Sequence, residues 1–406
     1  MKYLILGAGP AGLAFANRLR QLGESSFLVL EKEEEAGGLC RSVEVDGSPF
    51  DIGGGHFLDV RYPRVNEFLF QFMPQEEWDK YERNSQIQIN GEMINSPIEA
   101  NIWQMKLEEQ VEYLKAIAVA GCNLDRPMPD LFIDWIDWKL GKKIADDYMI
   151  PYNQKMFADD LNKLGTYWLD KLPNVSFDET LMSCLTREAY GTQPGHAQFY
   201  YPKKYGYGEL WIRMAENIKD HLIYGAQVQS IDFLNKQVKM SNQEEYVADV
   251  IINTIPWMQF DELIGMPDDI KGGIEKLKYS SIETRYFPGN LDTKAQWIYY
   301  PDSSLPYHRI LVRHNFCPGS KGYWTETRVE RVKMFAEGSE GNFTYLNQYA
   351  YPLNTIGKPE IMQKLLQWCE QYQVYGLGRW GEHQHYNSDV TVGRSLDLAE
   401  KLCGRR

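Results

Sequence analysis

A short apolar run that leads straight into closely spaced glycines is the most constraining feature of this chain. Lys2-Tyr3-Leu4-Ile5-Leu6 is followed at once by Gly7-Ala8-Gly9-Pro10-Ala11-Gly12, and Leu13-Ala14-Phe15-Ala16-Asn17-Arg18-Leu19 continues at helical spacing. The apolar run predicts a parallel strand buried on both faces. Phe27-Leu28-Val29-Leu30 predicts a second strand, which ends in Glu31. Strand, G-x-G-x-x-G, helix, strand and acidic residue within about 30 residues make the full dinucleotide-binding context. Gly7 permits the tight turn, Gly9 lets the backbone approach a pyrophosphate, and Gly12 lets the helix pack against the strand. The helix N-terminus then presents free N–H groups to the anion. Glu31 is placed to accept hydrogen bonds from adenosine ribose hydroxyls, which disfavours a 2′-phosphate. A leader peptide is the rival reading of this stretch, with Lys2 before an apolar segment and Ala14-Phe15-Ala16 after it. It is rejected because cleavage would remove the better-specified motif.

Composition places the motif in a globular chain of more than one domain. For 406 residues, a prior of roughly 150 residues per domain gives about two or three. Apolar residues at 43% and charged residues at 24% exclude a largely disordered chain. Lys plus Arg total 43 against 56 Asp plus Glu, a net charge of −13. That balance argues against a nucleic-acid partner, and leaves room for one phosphate-bearing ligand held by a few local arginines. The six cysteines, at 40, 122, 184, 317, 369 and 403, form no C-x-x-C pair. They read as reduced, mostly buried thiols of a cytoplasmic protein. No apolar run reaches the roughly 18 residues an integral membrane segment needs. Tyr, Phe and Trp make 13% of the chain, enough to serve flat ligands as well as core packing.

Periodicity divides the chain into three parts. Residues 61–195 are rich in helical periodicity and Trp, with helices predicted over 102–120 and 131–149. Residues 196–279 return to α/β character, with a helix over 209–219 and strand-like segments at 226–233, 237–241 and 250–254. Alternating aromatic strands fill 280–350, followed by a helix over 359–371, a strand over 374–377 and a closing helix over 389–402. The expected fold is therefore α/β. A discontinuous Rossmann-type domain takes 1–60, 196–279 and 360–406, interrupted by a mostly helical insertion over 61–195 and an antiparallel β-sheet substrate domain over 280–359.

Further segments point to one cofactor. Ala36-Gly37-Gly38-Leu39-Cys40-Arg41-Ser42 and Phe50-Asp51-Ile52-Gly53-Gly54-Gly55-His56 follow the fingerprint. They resemble the flavin-binding start of the amine oxidase, protoporphyrinogen oxidase and UDP-galactopyranose mutase superfamily. In that superfamily such loops pass along FAD, and glycine suits a backbone pressed against a flat cofactor. Five later segments resemble mutase motifs in the family's own order. They are Pro151-Tyr152-Asn153-Gln154-Lys155-Met156-Phe157, Tyr201-Pro202-Lys203-Lys204-Tyr205-Gly206-Tyr207-Gly208, Tyr307-His308-Arg309-Ile310-Leu311, Tyr349-Ala350-Tyr351-Pro352-Leu353-Asn354 and Gly376-Leu377-Gly378-Arg379-Trp380-Gly381. The resemblance spans nearly the whole chain.

The resemblance implies an FAD enzyme that interconverts pyranose and furanose forms of a nucleotide sugar, a flavin-dependent intramolecular transferase. Reduced flavin N5 is then the nucleophile at the anomeric carbon, with NAD(P)H as a candidate reductant. The protein supplies orientation and charge stabilisation. To the cofactor the resemblance and the fingerprint assign Gly7, Gly9, Gly12, Glu31, Gly38, Arg41, Gly54, Gly55, Val228, Gly378, Arg379, Asn387 and Ser388. His56, Arg309 and Tyr351 are the expected catalytic residues. Tyr152, Phe157, Tyr207, Tyr349 and His385 are expected around the substrate. Arg309 matches an arginine that clamps the substrate diphosphate, a task suited to a planar guanidinium; a surface ion pair is its other reading. Tyr349 and Tyr351 would donate phenolic hydrogen bonds to the same phosphates, with strand packing as an equal rival. Asp389 reads equally well as a helix N-cap.

Four departures from the resembled family stand out. Asp59 replaces a second family histidine, Phe157 replaces a tryptophan that stacks on the base and still offers a π face, Val175 stands where the second arginine of the clamp is expected, and His385 replaces a tyrosine. They imply a different nucleotide or sugar, or a different reaction on the same scaffold. His383 and His385 form an H-x-H pair, too little for a metal site, and no metal is expected. Two alternatives stand beside the mutase: an FAD-dependent oxidoreductase like the amine and protoporphyrinogen oxidases, and a flavin-binding protein that acts through partners without catalysis.

Overall fold

Leu6, Leu30, Asn253 and Gly376 stand in neighbouring strands at one end of a parallel sheet, although most of the chain separates the first from the last. The computed structural model describes residues 1–121, 126–169, 176–190, 197–335 and 343–404. The central strand β1 (Tyr3–Leu6) is flanked by β2 (Phe27–Leu30) on one side and by Val250–Asn253 on the other. Leu222–Ile223 and Val374–Gly376 complete the five-stranded sheet at its edges. All four residues of β1 are buried, as a strand covered on both faces requires. Helix α1 (Pro10–Gln21) connects β1 to β2 and begins with proline, whose missing N–H would have had no intrahelical partner there. It buries Leu13, Phe15 and Leu19 and packs along the closing helix Ser388–Cys403. The strand and helix expectations for 196–279 and 360–406 hold to within a few residues, for example Gly208–Glu216 and Lys358–Gln371.

The middle of the chain differs from expectation. A seven-stranded sheet runs in the order Phe343–Pro352, Tyr279–Phe287, Tyr323–Arg328, Arg309–Val312, Trp297–Tyr299, Ser85–Ile89 and Glu92–Asn95. Its last two strands come from the stretch expected to be mostly helical. A three-stranded sheet of Leu58–Asp59, Gln198–Pro202 and Trp78–Glu82 also draws on that stretch. Asn90 and Gly91 carry positive φ angles of 51° and 78° and turn Ser85–Ile89 back into Glu92–Asn95. An Asn-Gly pair is a hairpin signal because it accepts that backbone twist at little cost. The helix expected over 131–149 breaks at Gly141 (φ 80°), where an added Cβ would run into the Ala116 backbone. Phe132–Leu140 ends there, and the chain resumes as Lys142–Ile144, a π-helical turn Ala145–Met149 and Ile150–Met156. These helices cover one face of the sheet with a core that includes Ile87, Ile94, Tyr113, Phe132, Ile136 and Ile282. Among the described residues no helix is long and apolar enough to cross a membrane.

One buried arginine ties the two sheets' loops together. Arg313 is fully buried, and its Nη1 donates to the carbonyls of Val45, Ser48 and Pro49 at 3.0 Å each. Its Nε donates to the Lys321 carbonyl at 2.8 Å. The hairpin of Ser42–Val45 and Ser48–Asp51, which follows the glycine loop, is thereby fixed against the large sheet. Replacing Arg313 with Met strands several buried carbonyls, each costing about 1–3 kcal/mol. Arg313→Met should therefore destabilise the fold by about 3 kcal/mol or more in urea unfolding; a change within error of zero would mean that water satisfies those carbonyls.

Candidate functional site

The C-terminal ends of the parallel strands open onto a cavity of about 620 Å³, the position where open α/β sheets bind ligands. Gly7, Gly9, Glu31, Gly38, Arg41, His56, Val228, Tyr349, Arg379 and Ser388 line it. Gly7 has φ 100°, and a Cβ there would lie 2.6 Å from Thr254 Oγ1. Gly12 does not reach the cavity. A side chain there would run into the Gly7 carbonyl and lie 3.2 Å from Ile5 Cγ2, so glycine is needed for helix to meet strand. At Gly9 the nearest atom to an added Cβ is Gly38 Cα, at 4.0 Å. The two glycines pack on one another in the cavity lining, beside the N-terminus of α1, which carries no side-chain cap. That cradle of bare backbone and uncapped N–H groups suits a pyrophosphate.

Glu31 is 6% exposed, and its Oε2 accepts the Ala8 N–H at 2.7 Å while Oε1 accepts the Glu33 N–H at 3.0 Å. Burial raises its pKa, against those two hydrogen bonds. The residue expected to hold a ribose therefore also stitches the glycine loop to the end of β2. Arg41 Nη2 donates to Tyr345 Oη at 2.6 Å, and Arg379 donates through Nε, Nη1 and Nη2 to the carbonyls of Tyr386 and Ala350. Ser388 Oγ lies 2.7 Å from Tyr207 Oη. Asn387 is the N-cap position of the closing helix, beside but not on the cavity wall.

Gly54, Gly55 and Gly378 do not line the cavity either. A Cβ at Gly54 would strike the Glu326 carboxylate, and one at Gly55 would lie 2.9 Å from Trp297 Nε1. A Cβ at Gly378 would lie 2.6 Å from Ala11 Cβ. In each case glycine allows segments to close on one another. Tyr207 is fully buried against Trp211 and Trp78 and does not line the cavity, although its hydroxyl meets Ser388 on the wall.

Behind His56 and Arg379 sits a second group of polar side chains, assembled across strands. Tyr299, Arg309 and Glu326 are direct cross-strand partners in three adjacent strands, so they form one row on one sheet face. Arg309 Nη2 donates to Glu326 Oε2 at 2.5 Å and to Tyr351 Oη at 3.3 Å. Glu326 is 1% exposed. Burial would raise its carboxyl, but Arg309 and His308 outweigh that and bring it down to about 2. His308 is fully buried, 3.5 Å from Glu326, with the Tyr152 ring 5.8 Å away. Phe157 packs edge-on to Tyr351 at 6.3 Å, and His385 tilts over Tyr351 at 4.8 Å. Arg379 stands 5.9 Å from the Tyr351 ring and so joins this group to the cavity. Arg309, Tyr351, Tyr152, Phe157 and His385 are thus brought together, with Tyr349 on the cavity wall.

Glu326 and Tyr299 were not among the expected site residues. The available signal was Thr325-Glu326-Thr327-Arg328, a polar strand that is nonetheless buried. Asp59 forms an ion pair with Arg61 at 2.7 Å, away from Arg309's partners. His383 Nε2 faces the Lys278 carbonyl at 3.0 Å. Val175 lies outside the described residues.

Burial, only partly offset by Glu326, pushes the His308 pKa down to about 4 from 6.5. Between those values the unfolded chain binds the extra proton, so neutral His308 subtracts stability as pH falls from 6.5 to 4 and nothing above that window. The unfolding free energy of wild type relative to His308→Gln should therefore decline by about 1.4 kcal/mol per pH unit across it. A difference that stays constant from pH 7 to 4 would show that His308 takes up a proton in the native state.

Comparison with known proteins bears on the fold. Residues 5–72 match the family described as NAD(P)-binding Rossmann-like domain. The UDP-galactopyranose mutase of Mycoplasma pneumoniae is 21% identical, across 98% of this chain and 96% of that protein. The crystal structure of a reduced UDP-galactopyranose mutase superposes with a TM-score of 0.90 at 22% identity, covering 100% of this chain and 94% of the other. A protein assigned as a protoporphyrinogen oxidase from Exiguobacterium sp. 255-15 superposes at 0.72 with 13% identity, over 100% and 99%. The chain has the fold of UDP-galactopyranose mutase along its whole length, and the resemblance drawn from its motifs holds at that level.

Proposed function

We propose that this chain is an FAD-dependent enzyme that rearranges the sugar ring of a nucleotide sugar, a pyranose–furanose isomerisation without net redox change. The observation that carries this reading is the placement of Arg309, Glu326 and Tyr351 against the wall of the strand-end cavity, joined to it by Arg379. FAD fits the residues present. Gly7, Gly9 and Gly38 leave bare backbone beside the N-terminus of α1 for its pyrophosphate, and Glu31 stands at the end of β2 for its ribose. Val228 and Ser388 border the same cavity, with Arg41 at the glycine loop. Bound in its reduced form, FAD supplies N5 as a nucleophile for the anomeric carbon.

The chain's own residues serve the departing and returning diphosphate. Arg309 keeps an Nε–H with no hydrogen-bond partner among the described residues, although it is buried. An unused guanidinium donor of this kind suits a phosphate oxygen. Glu326 stays ionised at all ordinary pH values and holds the guanidinium in place. Tyr351 adds a phenolic hydroxyl beside it. Burial keeps His56 neutral, with its pKa pushed down to about 4, so it adds no charge to the cavity wall near neutral pH. Phe157 and Tyr152 offer aromatic faces for the base or sugar.

The test is a panel of nucleotide sugars incubated with dithionite-reduced protein, scored for ring-isomerised product and for flavin spectrum. Isomerised product with only catalytic reductant is the expected result. Arg309→Ala should weaken nucleotide-sugar binding by about tenfold or more, the scale of one lost charge-assisted contact, with FAD still bound. Stoichiometric substrate oxidation with hydrogen peroxide release would replace this reading with that of an oxidase. Purified protein without flavin absorbance would remove both.

A further inference from the structure

Lys155 is fully buried, yet it lines neither the glycine loop nor the strand-end cavity. It lies in the helix Ile150–Met156, between Tyr152 and Phe157 in sequence. Its Nζ donates to the carbonyls of Tyr300 and Asp302, at 2.7 Å each. Both carbonyls belong to the loop that joins Trp297–Tyr299 to Arg309–Val312, the strands that pair Tyr299 with Arg309. Asp302 keeps its carboxylate for the loop itself, where Oδ1 accepts from the Ser304 N–H and hydroxyl. The Tyr307 ring, 5.9 Å from Nζ, offers a π face to the same ammonium. An ammonium taken out of water and met by carbonyls is expensive, and methionine would fill such a space at lower cost. What the charge achieves is a join between a helix and a hairpin tip.

The two elements so joined carry the side chains of the polar group. The Tyr152 ring stands 5.6 Å from that of Tyr299 and 5.8 Å from that of His308, so it leans on the same hairpin. Phe157, just past the helix, stands 6.3 Å from Tyr351, whose hydroxyl accepts from Arg309. Burial brings the Lys155 pKa down to about 7; Arg331 in the turn Val329–Met334 adds to that effect and Asp302 opposes it. Arg328 and Arg331 share Asp159, beyond the end of the helix. The other titratable groups on the packed elements hold one charge state near neutrality. Glu326 stays ionised, with its pKa at about 2, and His308 stays neutral, at about 4. Hydrogen bonds from Ser304 hold Asp302 below the usual carboxylate range. Burial raises the phenols of Tyr152, Tyr300 and Tyr307. Lys155 is therefore the member of this group whose charge changes around neutral pH.

We infer that Lys155 is a positioning residue, whose ammonium clamps the helix bearing Tyr152 to the tip of the hairpin bearing Tyr299 and Arg309. The clamp sets the spacing between the aromatic faces of Tyr152 and Phe157 and the Arg309 guanidinium. The inference rests on the mutase-type reading, and it gives Lys155 no contact with the substrate. Charge-assisted hydrogen bonds are roughly twice as strong as neutral ones. Loss of the proton therefore loosens the clamp without removing it, and substrate binding follows the charge of a residue that never touches the ligand.

The test uses the FAD-loaded, dithionite-reduced protein, so that the cofactor's own pyrophosphate site is filled. The probe is whichever of UDP, GDP and dTDP the wild type binds most tightly, measured by calorimetry. At about pH 6 Lys155→Met should weaken binding by about tenfold or more. The ratio of its Kd to that of wild type should shrink several-fold by about pH 8.5, where wild type has lost the charge. Taking the ratio cancels the titration of the probe itself. Lys155→Arg stays charged throughout, so the wild-type Kd divided by its Kd should rise over the same range. Flavin content and melting temperature report whether each variant is folded. A purely structural role would shift the melting temperature and leave both ratios flat. Flat ratios, or a Lys155→Met variant that binds as tightly as wild type at about pH 6, would overturn the role of Lys155. The mutase reading would then still stand on the isomerised product. If wild type binds none of the probes and isomerises no nucleotide sugar, both fall together.

Discussion

Backbone packed directly on backbone at the ends of the parallel strands is the constraint on which the rest of this structure depends. Gly12 lies against the Gly7 carbonyl, and Gly381 lies against the Asn253 carbonyl, each too close for any side chain. These contacts bring three segments that are far apart in sequence to one line. The same approach seats the closing helix along α1 and leaves its N-terminal residues on the cavity wall. Because the approach is limited by van der Waals radii, a single added methyl group must move a helix or a strand. The cavity is therefore a consequence of how the sheet closes, not of loops laid over it.

A second constraint is electrostatic. Glu326 and Arg309 are charges removed from water, and a buried pair of this kind is weak evidence for stability, since desolvation offsets much of the attraction. Two neutral histidines, His56 and His308, stand within reach of the same field. Apolar residues would fill such a volume at lower cost. A polar group maintained there, next to a strand-end cavity, is the usual arrangement of a site whose charges act on a ligand.

The cofactor half of the molecule was largely legible in the sequence. Gly7, Gly9, Glu31, Gly38, Arg41, Val228, Arg379 and Ser388 were all expected there, and all border the cavity. Gly54, Gly55 and Gly378 were expected for the cofactor and instead let neighbouring segments close. A glycine pattern reports that backbone comes near something, without saying whether that is a ligand or another strand. The middle of the chain was less legible. Its Trp-rich helical periodicity masked Ser85–Ile89 and Glu92–Asn95, although Asn90-Gly91 marked their hairpin. Gly141 likewise split a helix that periodicity alone had carried through.

By itself, the sequence determined the strand–glycine–helix–strand unit and the class of ligand it admits, because that unit is local. Its turn, its helix N-terminus and its acidic residue lie within one stretch of chain and follow from the backbone needs of those residues. Only the tertiary structure decided the other half of the site. Tyr299, Arg309, Glu326 and Tyr351 meet because strand register sets which residues stand opposite one another. Register is settled by packing across the whole sheet, so no local pattern could announce that Tyr299 and Glu326 would flank Arg309 from the two neighbouring strands.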